Sequence, residues 1–107
     1  MNYEEMSESK LNRKVAYLRF GKDSIIRFNP KSRSSVIVYG HGEFDPCNNP
    51  SDTWPIIFDN KIAIAPAKAT AGMWFGSSDH PVTYAPMDSN PLRAAMIVFL
   101  MMNEGES

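Results

Sequence analysis

Two histidines, one cysteine and a short run of carboxylates carry most of the chemistry this chain could do. His41 stands in Gly40-His41-Gly42, just after Ser35-Val36-Ile37-Val38-Tyr39. The branched apolar residues suit a buried strand. The two glycines let the backbone turn and leave the ring uncrowded. An imidazole at the end of such a strand suits acid–base catalysis or ligand contact. The plainer reading is a turn histidine satisfied by a backbone carbonyl. Cys47 follows six residues later and is the only thiol. It could serve as a nucleophile if its loop folds back onto the ring, and is otherwise an incidental loop residue. His41, Glu43, Asp45, Cys47 and His80 are metal-ligating types, but they lack the short paired spacing of zinc sites. No metal and no cofactor are assigned. The residues expected to bind are Gly40, His41, Gly42, Glu43, Asp45 and Trp54, in and beside a proline-rich loop. Trp54 and Trp74 read as core or loop anchors rather than as a pair that stacks on a ligand. Asp79-His80 stands before Pro81 and reads as a turn pair rather than a catalytic couple. No phosphate loop, nucleophile elbow or dinucleotide fingerprint is present.

These residues must be positioned by the elements around them. Lys14 to Phe20 is rich in β-formers and predicts a strand ending at Gly21. Ile25 to Phe28 predicts a second, making a hairpin. Lys31 to Ser34 is a basic, solvated loop. Residues 36–39 form the central strand. Asp45 to Pro55, with three prolines, predicts a long irregular loop. Ile56 to Phe58 and Lys61 to Ala65 predict a hairpin turning at Asp59-Asn60. Gly72 to Phe75 and Val82 to Ala85 predict two more strands. Asn90 can cap a helix whose first turn holds Pro91, running to about 103 and stopped by Gly105. That segment is apolar almost all round. Ile97 to Leu100 could instead form a buried parallel strand, since periodicity does not separate the two. The expected fold is α+β: short, mostly antiparallel strands over 14–85, closed by one apolar helix at 91–103. The alternative is a small α/β sheet with 36–39 and 97–100 as parallel neighbours. Residues 1–10 are expected to be a frayed polar start, and 11–107 a single globular domain.

Val36-Ile37-Val38-Tyr39-Gly40-His41-Gly42-Glu43 resembles the strand-His-Gly segment of caspase-like cysteine peptidases. It is also similar to the start of the bacterial Stv adhesin-type domain, whose later short strands Ile56 to Pro66 and Met73 to Pro86 loosely match. The peptidase resemblance implies His41 as general base and the Gly42 amide as an oxyanion donor. It also implies a cysteine after a later strand, where this chain has Asn103. An amide is a poor nucleophile, so the resemblance points to an inactive relative.

Composition narrows the classes further. The chain has 107 residues, 43% hydrophobic and 21% charged, which suits a folded protein of modest core. Eleven basic residues against 12 acidic give a net charge of −1. That balance makes no electrostatic case for nucleic acid or an anionic membrane. The longest apolar run, Ala94 to Met102, is far short of the ~20 residues a spanning helix needs. The N-terminal residues lack the pattern of a secretory signal. The expected location is cytoplasmic, with signal-independent secretion left open. The expected role is a protein-binding or regulatory module, its partner another protein, with a homodimer through Met96, Met101 and Met102 as one form. The alternative is a hydrolase-like enzyme using His41 as base, with Cys47 or water as nucleophile.

Overall fold

Seven consecutive residues, Ala94 to Leu100, are buried within one helix. A helix with no polar face must be covered on every side, and the rest of the fold does this. A computed structural model describes residues 3–78 and 85–104. The elements run α1 (Glu8–Phe20), β1 (Ile26–Phe28), β2 (Val36–Val38), β3 (Gly42–Phe44), α2 (Pro50–Asn60), β4 (Ala63–Pro66), β5 (Trp74–Ser77), β6 (Met87–Asp88) and α3 (Pro91–Glu104). They build an open α+β fold with two antiparallel three-stranded sheets, β1-β2-β3 and β4-β5-β6. The second sheet, α1 and α2 all pack on α3, and α1 also packs on β1 and β2. Leu11, Val15, Ile56, Met96, Ile97 and Leu100 are the large side chains of the shared core. At Gly76 of β5 the sheet comes so close to α3 that an added Cβ would lie 2.6 Å from the Ala94 carbonyl oxygen.

The C-terminal helix forms as its sequence indicates. Asn90 Oδ1 accepts from the Leu92 and Arg93 amides, and Pro91 fills the first position. The parallel-strand alternative fails, because 97–100 lies inside α3 and β2 has only the antiparallel neighbours β1 and β3.

Two predicted strands are helices instead. Lys14 to Phe20 belongs to α1. Ser7 caps that helix through the Lys10 amide, and Gly21, at φ 110°, ends it. Leu11, Asn12, Val15 and Ala16 form its buried stripe, and that 3.6-residue repeat outweighs the β-propensity of Val15, Tyr17 and Phe20. The loop expected over 45–55 ends in α2, which also contains Ile56 to Phe58. Asn49 caps α2 through the Ser51 amide, with Pro50 in its first turn. Pro55 removes one amide without ending the helix. The turn at Asp59-Asn60 is the end of α2. Lys61 adopts a left-handed φ of 54°, and the Ile62 amide reaches back to the Ile57 carbonyl at 3.1 Å.

Within the stretch expected to fray, Tyr3–Glu5 forms a 3₁₀ turn and Tyr3 is buried. Arg93 holds it there, donating to the carbonyls of Tyr3, Glu4 and Met6 while pairing with Asp88 at 2.6 Å. Asp79, His80, the strand expected over 82–85 except for Ala85, and Gly105 lie outside the described residues.

Candidate functional site

His41 reaches the surface because β2 and β3 are joined by a tight three-residue link. Val38 pairs with Gly42, and the His41 amide donates to the Val38 carbonyl at 3.0 Å. Gly40 at φ 87° and Gly42 at φ 111° supply the left-handed turns the link requires. The exposed imidazole lies 4.7 Å, centroid to centroid, from the Phe20 ring and 5.9 Å from Phe44. Phe20 and Phe44 meet edge to face at 5.1 Å. This cluster forms one wall of a small cleft of about 90 Å³, completed by Arg19 and by Ser51, Asp52 and Pro55 of α2.

The carboxylates after His41, Glu43 exposed and Asp45 half-buried, organise the loop. Glu43 accepts from Ser35 Oγ at 2.8 Å and from Asn29 Nδ2 at 3.2 Å. Asp45 accepts from Asn12 Nδ2 at 2.7 Å and from Ser34 Oγ. Its own amide donates to Asp52 Oδ2 at 2.9 Å. Asn48 bridges from this turn to Glu8, with Nδ2 donating to Oε1 at 2.9 Å. Glu43 and Asp45 thus fix the path of the chain between the His41 hairpin and α2. Among the described residues, no three of the metal-ligating types gather where an ion could be held.

Cys47 is a core residue rather than an available thiol. It is fully buried, its amide donates to Asn12 Oδ1, and its carbonyl accepts from Asn90 Nδ2 at 2.7 Å. Burial pushes its thiol pKa far above the ordinary value. Glu8, Asp45 and Asp88 push the same way, and Arg93 opposes them. A protonated thiol away from solvent is a poor nucleophile. The cleft beside His41 has no sulfur among its described lining residues.

Trp54 lies on the outer face of α2 and is 62% exposed. Phe58, one turn on, is 70% exposed. Residues four apart share a helix face, so the two rings stand together. Ser51 and Pro55, four apart on the adjoining side of the helix, line the His41 cleft. Tyr39, at the hairpin, is 81% exposed. With 56–58 expected as a strand, the sequence gives no reason to pair Phe58 with Trp54. Trp54 and Phe58 at i and i+4, with Thr53, Ile56 and Ile57 on the other side of the helix, are the available signal.

Asn12 is the other residue the sequence reading missed. It is fully buried in α1 and ties that helix to Ser34, Asp45 and Cys47. An asparagine in a helix interior is weakly favoured there, and that is the trace it leaves in the sequence.

A family model described as Bacteriophage P22, NinX matches residues 2–103. The chain belongs to the phage P22 NinX family. The match spans nearly the whole chain and corrects the caspase-like and Stv resemblances, which rested on short segments around His41. The geometry gives the same correction: the supposed nucleophile segment, 96–105, is helical over its described residues rather than a strand beside β2. A search of the curated proteins finds no match. Among the described residues of this NinX-family chain, no helix is long and apolar enough to cross a membrane.

Proposed function

We propose that this NinX-family chain is a small protein-binding module. Its contact surface is the outer face of α2 together with the adjoining His41 cleft. The observation that supports this reading is the exposure of Trp54 and Phe58 on one helix face. Solvent-facing aromatic pairs leave much apolar area in water, and aromatic residues dominate the energetics of protein interfaces. The surrounding residues suit a rim. Arg19 and Asp59 form an exposed ion pair at 3.6 Å beside the same helix face. Such pairs add orientation more than affinity. The Asp45 and Glu43 networks hold the hairpin and α2 in fixed relation, so little ordering cost attaches to binding. An enzymatic reading has less support. Among the described residues, the His41 ring makes its contacts with two phenylalanines, and the only thiol is buried.

The test is site-directed photo-crosslinking in bacteria that express this chain. A crosslinking residue at Phe58 should capture one discrete protein, and the same residue at Lys22, on the turn after α1, should not. Adding Trp54→Ala to the Phe58 probe should abolish the capture. Equal products from both positions, or none from Phe58, would remove the proposal.

A further inference from the structure

A second cleft lies on α1, sharing no residue with the His41 cleft. Lys10, Arg13, Lys14 and Tyr17 recur at i, i+3, i+4 and i+7, so they occupy one face of the helix. Met6 and Phe28 of β1 close the sides, enclosing about 370 Å³. That volume is within the ~300–1,000 Å³ of small-molecule sites. The floor is apolar and the charge is of one sign, with no carboxylate among the described lining residues.

Arg13 is the centre of this cleft. Its guanidinium lies 5.6 Å from the Tyr17 ring centroid and 5.3 Å from that of Phe28. Such cation–π contacts fix the group's plane while its N–H fork stays available to an oxyanion. Among the described residues, neither the Arg13 guanidinium nor the Lys10 ammonium meets a protein acceptor. Arg13 and Lys10, next to two rings and a thioether, fit a ligand that supplies both a negative group and a flat apolar body.

We infer that the α1 cleft binds a small planar aromatic anion, of the chemical class of a nucleoside monophosphate. The phosphate meets Arg13, with Lys10 adding attraction, and the base lies against Met6, Tyr17 and Phe28. The flat walls favour a ring over an alkyl chain. Arg13 and Lys10 neutralise at most about two phosphates, which would give a single strand a salt slope of only about −1.4. The chain as a whole is at −1. The site therefore suits one nucleotide rather than a track for a polymer.

The experiment is calorimetric titration of the whole chain with AMP at low salt. Saturable binding is expected. Arg13→Ala should weaken it by about tenfold or more, the usual cost of a charge-assisted contact. Phe28→Leu should weaken it severalfold and Trp54→Ala should leave it unchanged. Melting curves should show that all three variants fold. Adenosine should bind more weakly than AMP. Absence of saturable AMP binding in the millimolar range, or AMP binding indifferent to Arg13→Ala, overturns the proposal. So does adenosine binding as tightly as AMP. Dodecanoate binding more tightly than AMP would make this an acyl-anion site. A single-stranded decanucleotide binding about a hundredfold more tightly than AMP would make it a strand site. Either result also overturns the proposal.

Discussion

At Cys47 the environment, not the residue type, decides the chemistry. A lone cysteine six residues after a histidine invites a nucleophile reading, yet the side chain is buried in the core. The thiol of the native protein should react with an aromatic disulfide reagent only as fast as the chain opens, and at an unchanged rate in His41→Ala. Rapid labelling of the native protein would contradict this. The raised pKa also sets a pH dependence. The unfolded thiol ionises near its ordinary value, about 8.5, while the native thiol keeps its proton. Its contribution is intact below that pH and is lost above it, by about 1.4 kcal/mol per pH unit. Denaturant titrations between about pH 8.5 and 10 should show this slope and should show it reduced in Cys47→Ala. Asn12 is the opposite case, a residue without an obvious role in the sequence that joins three segments. Asn12→Ala deprives the Cys47 amide of its acceptor and the Ser34 carbonyl of a donor, and leaves Asp45 Oδ1 with Asn48 alone. It should cost about 2–4 kcal/mol, read from the shift in denaturation midpoint.

Among the elements, two helices open on the same dipeptide and only one was legible. Asn90-Pro91 and Asn49-Pro50 both cap with the asparagine side chain and place proline in the first turn. After Pro91 an unbroken run of helix formers follows, so the cap was read correctly. After Pro50 a further proline, Pro55, made the stretch look like loop. That proline stands in the middle of α2 and removes a single amide, which the packing of Ile56 and Ile57 offsets. In α1 the β-propensity of 14–20 conceals the buried repeat, which begins earlier, at Leu11. The His41 hairpin was legible because its glycines and branched residues act locally. The second contributor to the candidate surface, the outer face of α2, was not, because it exists only once 50–60 is helical. Gly76 shows a constraint set by tertiary distance alone. Gly76→Ala drives a methyl into the Ala94 carbonyl and should destabilise by about 1–3 kcal/mol or more. A melting temperature equal to the parent's would refute that contact.

In the whole molecule, α3 supplies the surface on which both helices and the second sheet assemble. Removing 91–107 should abolish cooperative melting, because the covering elements then face water with their apolar sides. A truncated chain that still melts in one sharp step would refute this. Arg93 ties the opposite end of the chain to this core through three carbonyls and Asp88. Arg93→Ala should leave the fold in place but speed amide exchange in the first turn of α1 by at least about tenfold. Unchanged protection there would show that the Tyr3 ring suffices.

The placement of α3 also bears on how the protein is made. Ribosomes release a chain N-terminus first, so α1, both hairpin strands beside it and α2 leave the exit tunnel before the element that completes their packing. Until Ala94 to Leu100 emerges, the nascent polypeptide carries its apolar faces uncovered and depends on whatever shelters it. Translation interrupted before α3 should therefore yield fragments that are degraded rather than shortened versions that survive.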